Sequence, residues 1–363
     1  MEGLFFPVGS FGFDFPPSGA NRTYSPIALT EEWPRINRLL LVTMGMCVGT
    51  IMNVFFVTTF FVEHTLNRAG YVFLACTAIS DLLITAGVMP ASAVVLLSGQ
   101  WDSVDHCRAL QFLTETSTYS YSVFFALVAI ENYYRLYRSD DDYDWFISMR
   151  IGLVCTSVYT MTTTAAAVGV YLGLDYDYCE RRSLGNVFYR QLTSGLFYGI
   201  PFIITIFGLF ASVIGIARQV RTLIHYRRSD QYYTDRASAA VNITSFIFYV
   251  AMWTPYLVII YLYPGASDPV YYKSAWLGIG RSTFTTFFYA LFISNFRRAY
   301  ARVFNYCCCK STLTGPQCTR YRRAVEYNVA TGDVRVHVLA PHVHATSPQR
   351  SASTSASREP SEL

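Results

Sequence analysis

Seven long apolar segments constrain the fold of this chain more than any other feature. They run from Leu39 to Val62, Ala69 to Leu97, Cys107 to Arg138, Ser148 to Leu172, Gln191 to Ile216, Ala237 to Tyr263 and Tyr272 to Ile293. Each is near the roughly 20 residues that an α-helix needs to cross a bilayer. Only 14% of the residues are charged, which is typical of a polytopic membrane protein. We therefore predict an all-α membrane protein built as a seven-transmembrane helix bundle.

The third segment contains a polar run that lipid cannot accommodate. Each of residues 114–122 carries a hydroxyl or a carboxylate, and apolar residues flank the run on both sides. A lipid-facing carboxylate costs roughly 2.5–3.5 kcal/mol on insertion scales, so we expect other helices to surround this one. The run indicates a central packing helix with interhelical hydrogen bonds, and its outer half is a candidate for a ligand cavity. The two interpretations are compatible.

Positive charge sets the predicted orientation. With the N-terminus outside, 13 Lys and Arg residues flank the spans on the inner side and 8 on the outer side, as the positive-inside rule requires. Asn21 begins an Asn-Arg-Thr glycosylation sequon ahead of the first span, in agreement with that orientation. We expect a multi-pass plasma-membrane protein in which residues 1–36 form an extracellular segment and residues 37–310 form the transmembrane domain.

The C-terminal part of the chain has three further signals. Residues 295–306 alternate basic and aromatic side chains at helical spacing, which predicts a short interfacial eighth helix. The cysteines that follow are candidates for palmitoylation: Cys307, Cys308 and Cys309. Residues 311–363 are polar and predict a disordered cytoplasmic tail. Its last three residues, Ser-Glu-Leu, match a PDZ-domain ligand.

Several landmarks stand in a characteristic order. They are Asn53, Asp81, Trp101, Cys107, Cys179, Pro201, the run Trp253-Thr254-Pro255, and Phe296 to Tyr300. The ordered set resembles the rhodopsin-like class of G-protein-coupled receptors over about residues 36–310. The resemblance implies a disulfide between Cys107 and Cys179, and it implies that Trp253 and Pro255 act in activation. It also implies an extracellular ligand of unknown identity and a heterotrimeric G protein or arrestin as cytoplasmic partner.

Two family motifs are altered in this chain. The third helix ends in Glu131-Asn132-Tyr133, where the family has an arginine in the middle position. That arginine ties the resting state together and later supports the transducer peptide, and Asn132 cannot form a charged lock with Asp235. The seventh-helix signature keeps only its tyrosine, Tyr289.

Arg281 is a third departure, because it places a charge in the middle of the seventh span. The family uses the acid that corresponds to Asp81 to coordinate sodium. A buried Asp and a buried Arg within reach of each other are expected to pair, since either alone is costly. We hypothesise that an Asp81–Arg281 salt bridge replaces the sodium site. In the alternative, Arg281 extends elsewhere.

Five residues are expected to line the ligand side of the bundle: Thr114, Glu115, Thr118, Trp253 and Tyr256. The family's amine receptors carry Asp at the position of Thr114, which disfavours aminergic recognition of that kind. Ile279 stands where opsins have the retinal lysine, which disfavours a retinal chromophore. Glu115 is a candidate for binding a cationic ligand group or for pairing with Arg190 or Lys273. A purely structural hydrogen bond is the alternative, and lipid-like, peptide and indole ligands all stay open.

Other function classes receive less support. The sequence has no nucleophile–base set and no metal-ligand spacing, so we predict no enzyme, metal or cofactor. A net charge of +4 without a basic block excludes a nucleic-acid partner of the usual kind. A transporter or channel would call for paired broken helices or inverted repeats. The leading interpretation is a signalling receptor. The alternative is a receptor-fold protein that acts as a scavenger, an arrestin-biased receptor or a modulator of a partner, without activating G proteins.

Overall fold

The computed structural model describes residues 35–62, 69–98, 104–137, 150–179, 183–223, 225–262, 267–309, 323–328 and 333–338. The helices are α1 (Arg35–Val62), α2 (Ala69–Leu82, continued as Leu83–Val88 and Met89–Ser98), α3 (Val104–Tyr137), α4 (Ile151–Tyr171), α5 (Val187–Ser194, continued as Gly195–Gly199 and Ile200–Thr222), α6 (Asp230–Leu262), α7 (Asp268–Phe292) and α8 (Ser294–Cys309). A short 3₁₀ turn, Tyr226–Arg228, precedes α6. Trp101 and Asn21 lie outside the described residues.

Helices α2 and α5 each contain a wide, π-helical turn just before a proline. In α2 the turn covers Leu83–Val88 and precedes Pro90, and in α5 it covers Gly195–Gly199 and precedes Pro201. Proline has no backbone N–H and its ring crowds the carbonyl four residues earlier. A wider turn relieves that crowding, and such turns are frequent at functional sites.

The transmembrane helices do not all have the same polarity. Five of the described helices are long and apolar enough to cross a membrane: Ile36–Phe61, Gly70–Leu97, Ile151–Tyr171, Val187–Thr222 and Gln231–Leu262. Helices α3 and α7 are also long, with 34 and 25 residues, but they are more polar. Both carry buried polar groups, for example Ser117 and Thr118 in α3 and Arg281 and Ser282 in α7. Their polarity therefore points into the bundle.

Helix α3 packs against α2, α4 and α5. The polar run at 114–122 is enclosed, as predicted, because eight of its nine residues are buried and Glu115 is half-buried. Ser117 Oγ donates to the Ser80 carbonyl in α2 at 2.7 Å, and the Ser80 and Ser120 hydroxyl oxygens are 2.9 Å apart. The hydroxyls thus obtain from the neighbouring helix the partners that lipid would not supply.

Helix α5 approaches α3 closely at Gly208. A Cβ added there would lie 2.7 Å from Ala129 Cβ and 2.9 Å from the Ala129 carbonyl oxygen. Since a carbonyl in a packed helix cannot swing aside, Gly208→Ala is expected to lower the free energy of unfolding by about 1–3 kcal/mol, the usual cost of overpacking. Thermal unfolding of the purified protein in lipid nanodiscs measures the loss.

Gly152 in α4 supplies the matched control for this substitution. Among the described residues, no atom outside the neighbouring turn of α4 lies within 4 Å of a Cβ added at Gly152. Gly152→Ala should therefore leave stability unchanged, or raise it by up to about 1 kcal/mol through the better helix propensity of alanine. Equal stability of the two variants would contradict the close packing of α3 and α5.

Helix α8 follows α7 directly and is amphipathic. Phe296, Ala299 and Val303 are buried, whereas Arg297 and Arg298 are exposed. Spacings of three and four residues place the buried set on one face of the helix. That face packs on α1, where the Phe296 ring stacks on Phe56 with a centroid distance of 4.8 Å. That α8 lies at the membrane interface, as the basic and aromatic alternation indicates, stays a prediction.

A second unit of the chain begins at Ser311. Within it, strand β1 (Arg323–Asn328) pairs antiparallel with strand β2 (Asp333–Val338), and Val325 lies opposite Val336. These twelve residues depart from the predictions of an all-α protein and of a tail that is disordered throughout. The signal is present in the sequence, because Val334, Val336 and Val338 alternate with other residues, and valine favours strands.

Candidate functional site

A small cavity of about 30 Å³ lies between α3, α5, α6 and the segment at 174–178. Its lining includes all five residues expected on the ligand side, Thr114, Glu115, Thr118, Trp253 and Tyr256, together with Gln111, Tyr119, Asp175, Tyr176, Tyr178, Tyr198, Leu257, Ile260 and Tyr261. The structure therefore brings the five residues together in one place. It adds a group of tyrosines and a second carboxylate, Asp175.

The segment over this cavity, residues 172–179, is tied to α3 at two points, and we call it the lid segment. The predicted disulfide between Cys107 and Cys179 is present. Gln111 Nε2 in α3 donates to the Tyr176 carbonyl at 2.9 Å. These ties hold the lid segment close to the outer half of α3.

The lid segment also depends on one glycine beyond it. Gly185 has a φ of 72°, in the left-handed region. A Cβ at this position would lie 2.4 Å from the Asp175 carbonyl oxygen. Both constraints favour glycine, so Gly185 allows the returning chain to pass against the lid segment at Asp175.

Two carboxylates meet in the cavity. Tyr119 Oη lies 3.1 Å from Glu115 Oε2 and 3.2 Å from Asp175 Oδ2. Glu115 also accepts a hydrogen bond from Gln111 Nε2 at 3.0 Å. Arg190 Nε is 3.9 Å from Asp175 Oδ1, so the arginine considered as a partner for Glu115 approaches Asp175 instead. Glu115 therefore makes structural hydrogen bonds, which was one of the two roles expected of it. Both of its donors, Gln111 and Tyr119, are neutral.

Trp253 lies against helix α7 and beside Tyr256. The ring centroids of Trp253 and Tyr256 are 5.1 Å apart. On the other side of the indole, a Cβ at Gly278 would lie 2.5 Å from Trp253 Cζ3, so a larger residue there would displace the indole. Pro255 stands inside α6, two residues beyond Trp253. The tryptophan is therefore packed next to the point at which α6 lacks a backbone hydrogen bond.

Deeper in the bundle, Asp81 of α2 and Arg281 of α7 form an ion pair. Arg281 Nη2 is 2.8 Å from Asp81 Oδ1, and both side chains are fully buried, with 0% exposure. The pairing hypothesised from the sequence is therefore observed. The guanidinium thus places a positive charge next to Asp81. The acid at the corresponding position coordinates sodium in the rhodopsin-like receptors that this chain resembles.

Aromatic rings complete the surroundings of Arg281. Its guanidinium carbon lies 3.9 Å from the centroid of the Tyr121 ring and 5.5 Å from that of Tyr249. A cation over an aromatic face is attracted to it, and more strongly in the absence of water. The charge of Arg281 is thus compensated by one carboxylate and by two tyrosine rings that the sequence did not assign to it.

The inner ends of α3 and α6 are joined by a second ion pair, which the sequence analysis missed. Arg135 Nη1 of α3 contacts Asp235 Oδ1 of α6, and the two side chains are only 9% and 1% exposed. Tyr226 Oη donates to Asp235 Oδ2 at 2.8 Å. Burial is the main cause that raises the pKa of Tyr226, and Asp235 raises it further, so the phenol stays protonated and remains a donor. We call Arg135, Asp235 and Tyr226 the α3–α6 lock.

The altered motif at the end of α3 surrounds this lock. Asn132 Oδ1 accepts a hydrogen bond from Arg135 Nη2 at 3.1 Å, and Glu131 Oε1 lies 3.9 Å from Arg135 Nε. Glu131 fits there because a Cβ at Gly70 would lie 2.2 Å from its carboxylate. Tyr133 is 42% exposed and does not join the group. Asn132 thus orients the arginine that stands three residues further along the helix.

Two more landmarks connect helices in the inner half of the bundle. Tyr289 Oη of α7 donates to Asn242 Oδ1 of α6 at 3.0 Å. Asn53 Nδ2 of α1 donates to the Ser282 carbonyl of α7 at 3.1 Å. The one residue kept from the seventh-helix signature therefore contacts α6, the helix that also carries Asp235.

The arrangement of the helices agrees with a comparison against known protein families. The model of the 7 transmembrane receptor (rhodopsin family) matches residues 52–296. The chain belongs to this family. Among curated proteins it is similar to melatonin receptor type 1B of Mus musculus, with 21% identity over 306 residues, which cover 79% of this chain and 82% of the relative.

Solved structures give the same fold. The crystal structure of squid rhodopsin matches with a TM-score of 0.64 at 15% sequence identity, over 80% of this chain and 94% of that chain. The chain is therefore a multi-pass membrane receptor of the rhodopsin family, with a seven-helix transmembrane fold. Members of this family are receptors and not enzymes.

Proposed function

We propose that this receptor lies in the plasma membrane with its N-terminus outside and transmits the binding of an extracellular ligand to a heterotrimeric G protein, with arrestin as a further partner. The α3–α6 lock carries the proposal. Arg135 and Asp235 join the inner ends of two helices through a nearly buried ion pair. Such a contact gives the bundle a discrete resting state that a ligand can destabilise, which a transducing receptor requires.

The outer cavity connects to this lock through α6. A ligand in the cavity contacts Trp253, which packs on α7 beside the proline of α6. Since Pro255 removes one backbone hydrogen bond, α6 bends there at low cost. Outward movement of its inner end separates Asp235 from Arg135 and opens the surface between α3 and α6 to a transducer.

A second candidate function follows from Asn132. In the resembling family the arginine at this position contacts the transducer peptide, and here that residue is neutral and bonded to Arg135. This observation favours a receptor that acts as a scavenger, signals through arrestin alone or modulates a partner. The two candidates differ in whether second messengers change.

Basal activation of every G-protein family in intact cells, with arrestin recruitment measured in parallel, tests the proposal for wild type beside Asn132→Arg. Signalling by wild type above mock-transfected cells, at a confirmed surface level, is the expected result. Silence in wild type together with signalling by Asn132→Arg would contradict the proposal and support the second candidate. Arrestin recruitment without G-protein activation in either protein would also support the second candidate.

Modifications and membrane contacts are part of the same proposal. Helix α8 presents Arg297 and Arg298 to solvent on the face opposite its buried residues, which supports a position at the inner membrane interface. Cys307 is exposed near its end, where palmitoyl groups on Cys307, Cys308 and Cys309 would enter the lipid. Glycosylation of Asn21 and binding of the last three residues to a PDZ domain concern positions outside the described residues.

A further inference from the structure

Two free cysteines on neighbouring helices contact each other inside the bundle. Cys76 of α2 donates its S–H group to the Sγ atom of Cys155 in α4, and the two sulfur atoms are 3.6 Å apart. Both are thiols, unlike the cysteines of the outer disulfide between Cys107 and Cys179. Two thiols at this separation need to approach by only about 1.5 Å to form a disulfide. The pair is therefore placed where a covalent bond would join α2 to α4.

The two helices are already held together beside these thiols. Tyr159 Oη of α4 donates to the Cys76 carbonyl at 2.8 Å, and the hydroxyl oxygens of Tyr159 and Ser80 are 3.3 Å apart. Cys76 and Val158 also belong to one buried apolar cluster, against which Cys155 packs. The packing keeps the two sulfur atoms facing each other, so their reaction gains the advantage of an intramolecular step.

The two cysteines differ in their access to the lipid. Cys76 is only 7% exposed, whereas Cys155 is half-buried. Helix α4 also has a large lipid-facing surface, because only 17% of its most apolar stretch is buried, the lowest share among the five apolar helices of the described chain. An apolar molecule dissolved in the bilayer therefore meets the sulfur of Cys155 first, with Cys76 next to it.

Both cysteines lie within the spans, towards the inner ends of their helices. Cys155 is four residues from the start of α4 and Cys76 is seven residues from the start of α2. At 1.5 Å per residue these positions are about 6 Å and about 10 Å along the two helices. Glutathione and thioredoxin keep cytosolic thiols reduced, but charged molecules and proteins enter hydrocarbon poorly. A disulfide at this depth is therefore shielded from the cytosolic reductants.

A resident metal ion does not suit this pair. Structural zinc sites use four ligands, and the described residues contain no group of three or more His, Cys, Asp or Glu side chains that could hold a metal ion. Two thiols are, in contrast, the complete set of groups that a disulfide requires. The geometry thus favours oxidation of the pair over metal binding.

We propose that Cys76 and Cys155 form an oxidative modification site, at which an organic hydroperoxide from the lipid phase converts the two thiols into a disulfide between α2 and α4. The Cys155 sulfur attacks the terminal oxygen of the hydroperoxide, the O–O bond breaks, and an alcohol leaves with the thiol proton. The Cys76 sulfur then attacks the resulting sulfenic acid, the S–O bond breaks, and the hydroxyl leaves as water with the proton of Cys76. The two thiols lose two electrons, which reduce one hydroperoxide to one alcohol and one water.

Peptide mapping of the full-length receptor in nanodiscs tests the proposal without a ligand or a transducer. The receptor is treated with cumene hydroperoxide, which partitions into lipid, or with hydrogen peroxide at the same concentration, and free thiols are then alkylated. By mass spectrometry we expect a linked Cys76–Cys155 peptide in place of the two alkylated ones, formed several-fold faster with cumene hydroperoxide. Oxidation should also raise Tm, because a cross-link between distant parts of the chain constrains the unfolded state.

Serine variants separate the roles of the two sulfur atoms. Cys76→Ser should accumulate a sulfenic acid at Cys155 that dimedone traps, Cys155→Ser should leave Cys76 reduced, and neither should gain Tm on oxidation. Cys47→Ser is the matched control, because Cys47 is a free cysteine exposed on α1, and this variant should cross-link as wild type does. Absence of the linked peptide under conditions that oxidise Cys47, equal cross-linking of Cys47 to either cysteine, or equal rates with the two peroxides would each overturn the proposal.

Discussion

Replacing Arg281 by methionine is expected to lower the free energy of unfolding by about 3–5 kcal/mol, the usual cost of removing one partner of a buried ion pair. The substitution leaves the carboxylate of Asp81 at 0% exposure without its cation. Methionine keeps an unbranched apolar stem of similar shape, so the loss reports mainly on charge. Chemical or thermal unfolding of the purified receptor in nanodiscs measures it.

The double variant Asp81→Asn with Arg281→Met separates the ion pair from packing. Removing both charges avoids an unpaired buried group, so the double variant should recover most of the stability lost by either single variant. A double variant that loses the sum of the two single losses would show that the pair acts through packing alone.

Sodium provides a further expected result for the same pair. Since Arg281 already neutralises Asp81, exchanging sodium chloride for choline chloride should leave the Tm of wild type unchanged. In Arg281→Met the carboxylate is free to bind a cation, and sodium should raise Tm by mass action. Ordinary sodium sensitivity of the wild-type receptor would refute the view that Arg281 replaces the sodium site.

Replacing Asp235 by asparagine is expected to raise basal G-protein activation roughly 5- to 150-fold, which corresponds to about 1–3 kcal/mol of lost preference for the resting state. The substitution removes the charged partner of Arg135 and one acceptor of Tyr226. Arg135 keeps its contacts with Asn132 and Glu131, so the inner end of α3 stays ordered. Second-messenger assays in intact cells at matched surface expression measure the effect.

Two further variants calibrate the size of this effect. Tyr226→Phe removes one hydrogen bond to Asp235 and leaves the ion pair with Arg135 in place, so it should raise basal activation less than Asp235→Asn does. Arg236→Gln changes an exposed charge next to Asp235 and should have no effect. Equal basal activation in all three variants would exclude the α3–α6 lock as the element that holds the resting state.

The sequence alone predicted those contacts that a buried charged or polar group must make to avoid a solvation penalty. A charged residue in the middle of an apolar span is costly unless an opposite charge neutralises it. Asp81 and Arg281 stand in the middle of two such spans and were therefore expected to pair, as they do. The same argument predicted the enclosure of the polar run in α3, whose hydroxyls bond to Ser80. Both predictions depend on solvation energy and require no knowledge of side-chain orientation.

The α3–α6 lock lies one helical turn beyond the position at which the family has its arginine. Asn132 differs from the family arginine, but Arg135 stands three residues later, on the same face of the helix. From that position the long side chain of Arg135 contacts Asp235. Helical spacing alone is a sufficient signal, because an arginine within one turn of Asn132 lies on the same face of the helix and can reach the same acid.

Asp175 had no comparable signal in the sequence. Its position depends on a disulfide at Cys179, a left-handed glycine at Gly185 and a hydrogen bond from Gln111 to the next residue. Such a path through a connecting segment follows from three-dimensional constraints and not from periodicity. The pairing of Asp175 with Glu115 across Tyr119 was therefore visible only in the structure.

The distance between the inner ends of α4 and α6 tests the central claim most directly, because it needs neither a ligand nor a transducer. Spin labels on noncanonical residues at Gly152 and Tyr233, both exposed, report it by double electron–electron resonance. We expect Arg135→Asp and Asp235→Arg each to add a population at longer distance, and the double variant, which exchanges the two charges, to restore the wild-type distribution. Equally displaced distributions in the single and the exchanged variants would show that Arg135 and Asp235 do not hold the resting state together.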